Sequence, residues 1–180
     1  MSYHLSQMRL TPISLGSLLL LAAACVKPPF MRSVPSGHAS ARIVDPVNKQ
    51  IGTVSFADTP NGLVISGTVS GLGLGAHGVH IHQVGRCEGP FTTAGAHYNP
   101  GNHQHGFKNP NGPHAGDLPN IVTPAAGNYT FEMVAAGLTV AALLRQPGTA
   151  IVFHVGGDDY ATDPAGNSGA RIGCGVITSG

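Results

Sequence analysis

An all-β fold, a sandwich or a Greek-key barrel, is predicted by three observations on this 180-residue chain. Gly (26) and Pro (14) punctuate it with no Gly-X-Y period, which argues against long helices and for many turns. From Ala39 onward no segment carries a convincing 3.6-residue period. Instead there are about eight short runs rich in Val, Ile and Thr, each bounded by turn residues. Hydrophobic residues reach 42%, so a sizeable core can be buried and a disordered chain is excluded. The net charge of +1 argues against a nucleic-acid partner.

The chain opens on a targeting segment. Leu10–Ala24, LTPISLGSLLLLAAA, is apolar but too short for a comfortable membrane span, and it ends in small residues as a secretory signal does. Residues 1–24 are read as a signal peptide, with the start open between Met1 and the Met8-Arg9 pair. Leu21-Ala22-Ala23-Ala24-Cys25 resembles a bacterial lipoprotein box, with Ala22 where Leu is commoner. On that reading Cys25 is lipidated, becomes the first mature residue and anchors the protein to a membrane. An ordinary A-x-A cleavage beside an incidental cysteine is the alternative. Both place the mature protein outside the cytosol, in the periplasm or cell envelope. Residues 25–38 follow as a Pro-punctuated linker, and 39–180 as the domain.

Within the domain, strands are expected at Ala41–Val44, Gly52–Ala57, Leu63–Ser70, Gly78–Val84, Pro119–Thr123, Asn128–Met133, Thr149–Val155 and Arg171–Ile177. Pro46-Val47-Asn48 and Thr59-Pro60-Asn61-Gly62 supply turn chemistry between the first three. Thr139–Arg145 fits a short helical turn. Gly85–Asp117 and Gly156–Ala170 carry no strand pattern, and long loops of this kind in a compact domain are usually functional. Gly73–Gly78 matches G-x-G-x-x-G, but a dinucleotide site needs a helix next. The adjoining segment, Val79-His80-Ile81-His82-Gln83-Val84, alternates with period two, so the match is a Gly-rich connection between strands.

Seven of the ten histidines lie between His77 and His114. His80 and His82 share one face of a strand, so both imidazoles can reach one ion. His97, His105, His114 and Asp117 follow in one Gly/Asn/Pro-rich loop, a donor set that suits zinc, and His154 ends a later strand. Cys87 and Cys174 flank the site. A disulfide between them closes a loop of nearly 90 residues, worth roughly 4–5 kcal/mol in the chain-entropy model. Two free thiols as metal ligands are the alternative, disfavoured in an oxidising compartment.

Several segments in this order carry a resemblance: Gly78-Val-His-Ile-His82, Ala96-His-Tyr-Asn-Pro100, His105-Gly106, His114-Ala-Gly-Asp117, Phe153-His154 with Asp158-Asp159, and Gly166–Ile177. Together they look like the copper,zinc superoxide dismutases, over nearly all of the mature chain. The resemblance implies an eight-stranded antiparallel Greek-key barrel with two long functional loops. It also implies an oxidoreductase that converts superoxide to oxygen and hydrogen peroxide, with copper and zinc as cofactors. His80, His82, His97 and His154 resemble the copper ligands. His97, as an imidazolate bridge, joins His105, His114 and Asp117 at zinc, and it also resembles the group that hands a proton to the departing peroxide. Asp158 resembles the carboxylate linking His80 to His105, and Arg171 the cation that holds the anionic substrate. Cys87–Cys174 resembles the family disulfide and His77 a structural histidine, while His38 and His103 read as surface residues. The loop from Asp159 to Arg171 is short and has no Lys or Arg before Arg171, so substrate steering must come from elsewhere; Arg86 and Lys108 are candidates. Monomer and homodimer both stay open. A non-catalytic copper-binding or copper-delivery module on the same scaffold is the rival reading, although such relatives tend to lack a ligand or the arginine that this chain keeps.

Overall fold

The computed structural model of the chain describes residues 37–124 and 127–180. The signal segment, Cys25 and the linker up to residue 36 lie outside the described residues. The strands are β1 (His38–Val44), β2 (Gln50–Thr59), β3 (Gly62–Ser70), β4 (Gly75–His77), β5 (Val79–His82), β6 (Ile121–Thr123), β7 (Asn128–Ala135), β8 (Ala150–His154), β9 (Arg171–Val176) and β10 (Thr178–Ser179). A single 3-10 turn, Thr92–Ala94, and a four-residue helix, α1 (Val140–Leu143), complete the described elements.

Each of the eight expected runs is a strand, and Thr139–Arg145 does contain the helical turn. Thr139 caps it, its side chain accepting from the Ala142 N–H. Three details differ from the sequence reading. β1 starts at His38, paired opposite Ala57, so the last residue of the expected linker already belongs to the sheet. β5 stops at His82, because the N–H groups of Gln83 and Val84 turn to the Ala96 and Ala94 carbonyls of the following loop. Gly75–His77, expected as a connection, is strand β4, paired with β6. Gly and Ala bury too little side chain to show a period there.

The main sheet runs β5-β8-β9-β1-β2-β3-β7, with β10 added to β1, and β4 pairs β6 separately. All pairs are antiparallel. β4 and β5 form one extended run broken at Gly78, which pairs with β6 in its first half and with β8 in its second. Counted once, that run gives the eight strands expected, with β10 as a short extra. The β3–β7 and β1–β9 neighbours are the long-range joins of a Greek key. Gly78 sits where the run changes partner. A Cβ there would come 2.9 Å from the Ser168 side chain and 3.3 Å from the His80 ring, so glycine lets the loop before β9 pack closely against the run.

Alternation fills the core. Ala39, Ala41 and Ile43 of β1, Val54 and Phe56 of β2, Leu63 and Ile65 of β3, and Val79 and Ile81 of β5 all point inward. β8 is buried on both faces: Ile151 and Phe153 join that core, while Ala150 and Val152 join a second cluster with Val44, Phe91, Ala94 and Cys174. The inward face of β5 is apolar, so its other face carries both His80 and His82, and the loops cover it.

Cys87 and Cys174 form the disulfide, 87 residues apart in sequence. It fastens the loop after β5 to the middle of β9, over the second cluster. Replacing both cysteines by Ala is expected to lower stability by about 2–5 kcal/mol, measured as a shift in the denaturant midpoint against the oxidised parent.

Candidate metal centre

The site begins in the backbone of β5. One of its edges pairs with β8, and the other is taken by two loop segments. The Ile81 N–H donates to the Gly116 carbonyl at 2.8 Å, the Tyr98 N–H to the Ile81 carbonyl at 2.8 Å, and the Gly116 N–H to the Tyr98 carbonyl at 2.8 Å. That stitching sets His82 opposite His97 and His80 opposite Asp117. A Cβ on Gly116 would strike the Ile81 carbonyl oxygen, so the approach depends on glycine.

Four imidazoles converge on the first pocket: His80, His82, His97 and His154, all buried, each with a donor atom within 4.8 Å of the others. One nitrogen of three rings is fixed from behind. His80 Nε2–H donates to Asp158 Oδ2 at 2.8 Å, His82 Nδ1–H to the Gly95 carbonyl at 2.9 Å, and His154 Nδ1–H to the Gly169 carbonyl at 3.0 Å. The opposite nitrogens, His80 Nδ1, His82 Nε2 and His154 Nε2, together with His97 Nε2, are buried without a hydrogen-bond partner. Orphaned buried nitrogens are costly, and four aimed at one point are the donor set of an imidazole-bound metal. Burial, reinforced by the neighbouring rings, holds His82 down to about 2, His154 to about 3 and His97 to about 4. These rings are therefore neutral at ordinary pH, with lone pairs free.

The second pocket centres on Asp117. Its Oδ2 accepts the N–H groups of Gly106 and His114, both at 2.9 Å. Around Oδ1 stand His97 Nδ1 at 2.9 Å, His105 Nδ1 at 3.0 Å and His114 Nδ1 at 3.3 Å, with 3.3 Å between His114 Nδ1 and His97 Nδ1. Tetrahedral zinc with bonds near 2.0–2.1 Å separates its ligands by roughly 3.3 Å, so these spacings fit. His80, His97, His105 and Asp117 also have donor atoms within 4.8 Å of one another. Because His80 Nε2 is engaged by Asp158, and its Nδ1 belongs to the first pocket, His114 is the fourth donor that remains free for this one. Burial opposes charge on Asp117, but hydrogen bonds from His105, His97 and Gly106 outweigh it and hold the carboxyl well below its usual range. His105 shows the reverse balance: burial pulls it down, yet Asp117 and Asp158 raise it to about 9. A cation entering this pocket displaces that proton.

His97 faces both pockets, Nδ1 toward Asp117 and Nε2 toward the first set. Asp158 is the other link, with Oδ2 on His80 and Oδ1 on His105 Nε2 at 2.9 Å. The same Oδ1 also accepts the Tyr160 N–H at 2.7 Å. Asn120 clamps the Asp158 main chain from both sides, donating to its carbonyl at 2.9 Å and accepting its N–H at 2.8 Å, while its own N–H is held by the Tyr160 hydroxyl. Sequence reasoning missed Asn120 and Tyr160. Their only signal is a polar residue just after Leu118-Pro119 and an aromatic next to paired aspartates.

Arg171 starts β9 opposite His154. Its guanidinium donates to the Phe91 carbonyl at 2.7 Å and the Gly95 carbonyl at 2.9 Å, and the latter also holds His82. Both carbonyls lie in the loop that the disulfide fastens. Of the candidate steering cations, Arg86 is an exposed partner of Glu88 at 3.7 Å, and Lys108 is exposed, reaching the Asp159 carbonyl at 3.1 Å over the Tyr160 ring. His77 is buried between the His154 carbonyl and the Thr123 hydroxyl, a structural role as expected, and His38 and His103 are exposed.

Gly166 lies against the Asp158 link at φ 63°, and a Cβ there would overlap Asp158 Oδ1 and come 2.7 Å from His105 Nε2. Gly166→Ala is expected to push the carboxylate off His105 and weaken metal binding by about 10–100-fold, measured by chelator competition. An unchanged affinity counts against the Asp158 link as a support of the pockets.

Comparison with known proteins agrees with this arrangement. Residues 50–177 match the family described as copper/zinc superoxide dismutase (SODC). The protein called superoxide dismutase [Cu-Zn] 2 of Aquifex aeolicus (strain VF5) is 39% identical over 176 residues, covering 94% of this chain and 98% of its own. Among solved structures, a SOD-like protein from Bacillus subtilis superposes with a TM-score of 0.72 at 38% identity, covering 76% of this chain and 95% of the other. The Cu/Zn superoxide dismutase from Brucella abortus superposes at 0.68 with 33% identity, covering 78% and 99%. With its matched family, its barrel and its paired pockets, the chain belongs to the copper/zinc superoxide dismutases.

Proposed function

We propose that this protein dismutates superoxide to oxygen and hydrogen peroxide at copper held by His80, His82, His97 and His154. His97 is shared with zinc held by His105, His114 and Asp117. The observation that carries the reading is the set of four buried, unpartnered imidazole nitrogens aimed at one point, beside a ring that also faces Asp117. When bound, copper supplies alternating one-electron oxidation and reduction of superoxide.

The residues of the chain do the rest. Neutral His82 and His154, each fixed by a backbone carbonyl, present lone pairs without rearranging. Arg171 is the cation for the anionic substrate. Two of its donors are tied to Phe91 and Gly95, so the guanidinium is oriented before the substrate arrives and needs no reorganisation. His97 Nε2 carries the proton to the departing peroxide, while Asp117 and its neighbours hold the ring from the Nδ1 side. His97, His105, His114 and Asp117 would hold zinc, which would supply no redox chemistry of its own and would keep the loop that bears His97 in place.

The test is a purified chain, loaded with both metals, analysed for metal content and assayed for superoxide consumption with and without cyanide. Arg171→Ala is expected to cut turnover by on the order of 10²-fold with copper content unchanged. Loss of copper in that variant would refute the role of Arg171, and a fully loaded parent without turnover would refute the activity.

We also propose that the protein is exported and works in the periplasm or cell envelope, protecting it from superoxide, with Cys25 as a lipid anchor. The apolar Leu10–Ala24 segment, the box ending at Cys25 and the Cys87–Cys174 disulfide support this, since disulfides persist in oxidising compartments. Metabolic labelling with a tagged fatty acid is expected to mark the parent and leave Cys25→Ser unlabelled; an unlabelled parent removes the anchor.

A further inference from the structure

The loop of residues 155–170 has no Lys or Arg but three aspartates. Asp158 links His80 to His105. Asp159 works within the loop, accepting the N–H groups of Ala161 and Thr162 and the Asn167 side-chain amide. Asp163 instead reaches out of the loop to the zinc pocket. Its Oδ1 accepts the His105 N–H at 2.6 Å and lies 3.9 Å from His114 Nε2. We propose that Asp163 is a positioning residue of that pocket. Its carboxylate fixes the main chain of His105, and with it the ring whose Nδ1 faces Asp117.

His105 is held at three places: its Nε2 by Asp158, its Nδ1 by Asp117 and its main-chain N–H by Asp163. The third hold sets the backbone from which the ring projects between the two carboxylates, and such supports behind a ligand ring govern how well it meets a metal. His114 Nε2, at 3.9 Å from Asp163, lies beyond hydrogen-bond reach.

Delivery of Asp163 is built into the loop. Tyr160 takes a left-handed turn at φ 64°, its hydroxyl accepts the Asn120 N–H at 2.7 Å, and its ring lies 5.6 Å from that of Phe107. The Asp159 hydrogen bonds then brace the turn on which Asp163 stands. The Asp163 side chain is 49% exposed, so water screens its charge and the effect belongs at the weak end of what such a partner contributes.

The proposal rests on the zinc reading, so the experiment starts by measuring zinc uptake by the parent chain. Zinc affinity is taken by competition with a chromophoric chelator, and Co(II) placed in the same pocket reports ligand geometry by its visible spectrum. Asp163→Ala is expected to weaken zinc binding about tenfold and to shift the cobalt bands. Asp163→Asn keeps an oxygen for the His105 N–H but no charge, and is expected to fall between Ala and the parent. Its metal-free unfolding midpoint should match the parent, which a merely structural role would not allow. If both variants bind zinc within about twofold of the parent, the proposal fails and the pocket stands; should Asp163→Ala not fold, Asp163→Asn decides. A parent that takes up no zinc overturns the pocket itself.

Discussion

The metal centre hangs on the edge of one short strand. Ile81 of β5 gives its N–H to Gly116 and its carbonyl to Tyr98, and those two bonds bring a loop of nearly forty residues back onto the barrel. Because side chains alternate along a strand, fixing Ile81 inward fixes His80 and His82 outward. The same pairing then sets Asp117 across from His80 and His97 across from His82. Convergence of distant ligands is thus a matter of backbone register before any imidazole meets a metal. The barrel contributes rigidity: Ile81 is fully buried in the main core, so the edge that bears the loops cannot shift without disturbing Val79, Ile151 and Phe153.

The disulfide and Arg171 form the second half of the frame. Cys87 ties the loop to β9, and Phe91 of that loop packs with Val44, Val152 and Cys174 in the second cluster. The Phe91 and Gly95 carbonyls thereby become fixed acceptors for the Arg171 guanidinium. Since the Gly95 carbonyl also holds His82, the orientation of that ring and that of the Arg171 guanidinium are set by one peptide group. A loop left loose at Cys87 would misplace both together.

Much of this was legible in the chain. Short runs rich in Val, Ile and Thr, bounded by turn residues, marked all eight strands, whether half-buried like β1 or buried on both faces like β8. The cluster of six histidines and Asp117 was legible too, as His and Asp gathered at strand and loop positions, while the division into two pockets came from the family resemblance. β4 was not legible: Gly75 and Ala76 bury almost no side chain, so its pairing with β6 leaves no pattern to read. The supports behind the ligands were also hidden. The Gly95, Gly169 and Phe91 carbonyls act through the main chain, which every residue carries, and nothing in a sequence distinguishes the few that are aimed at a ring. Asn120 acts through its side chain on the Asp158 main chain, and Tyr160 through its N–H on Asp158 and its hydroxyl on Asn120, so neither touches a donor ring and their roles emerge only once three separate segments are in place.

The two pockets use the same residue type for opposite electrostatic ends, and the difference lies in what stands behind each ring. On the copper side, backbone carbonyls accept from His82 and His154. A carbonyl offers a dipole but no net charge, so burial wins and those imidazoles stay neutral. On the zinc side, Asp117 and Asp158 bring two full negative charges to His105, and these outweigh its burial. The zinc side is thereby built to attract and keep a cation of fixed charge. The first pocket offers neutral donors at His82, His97 and His154, with the Arg171 guanidinium on the Gly95 carbonyl that also holds His82, and its one carboxylate support, Asp158, stands behind His80. His97 belongs to both. Asp117 favours its charged form from one side, while burial and the rings of the copper set disfavour it from the other, and the balance leaves it at about 4.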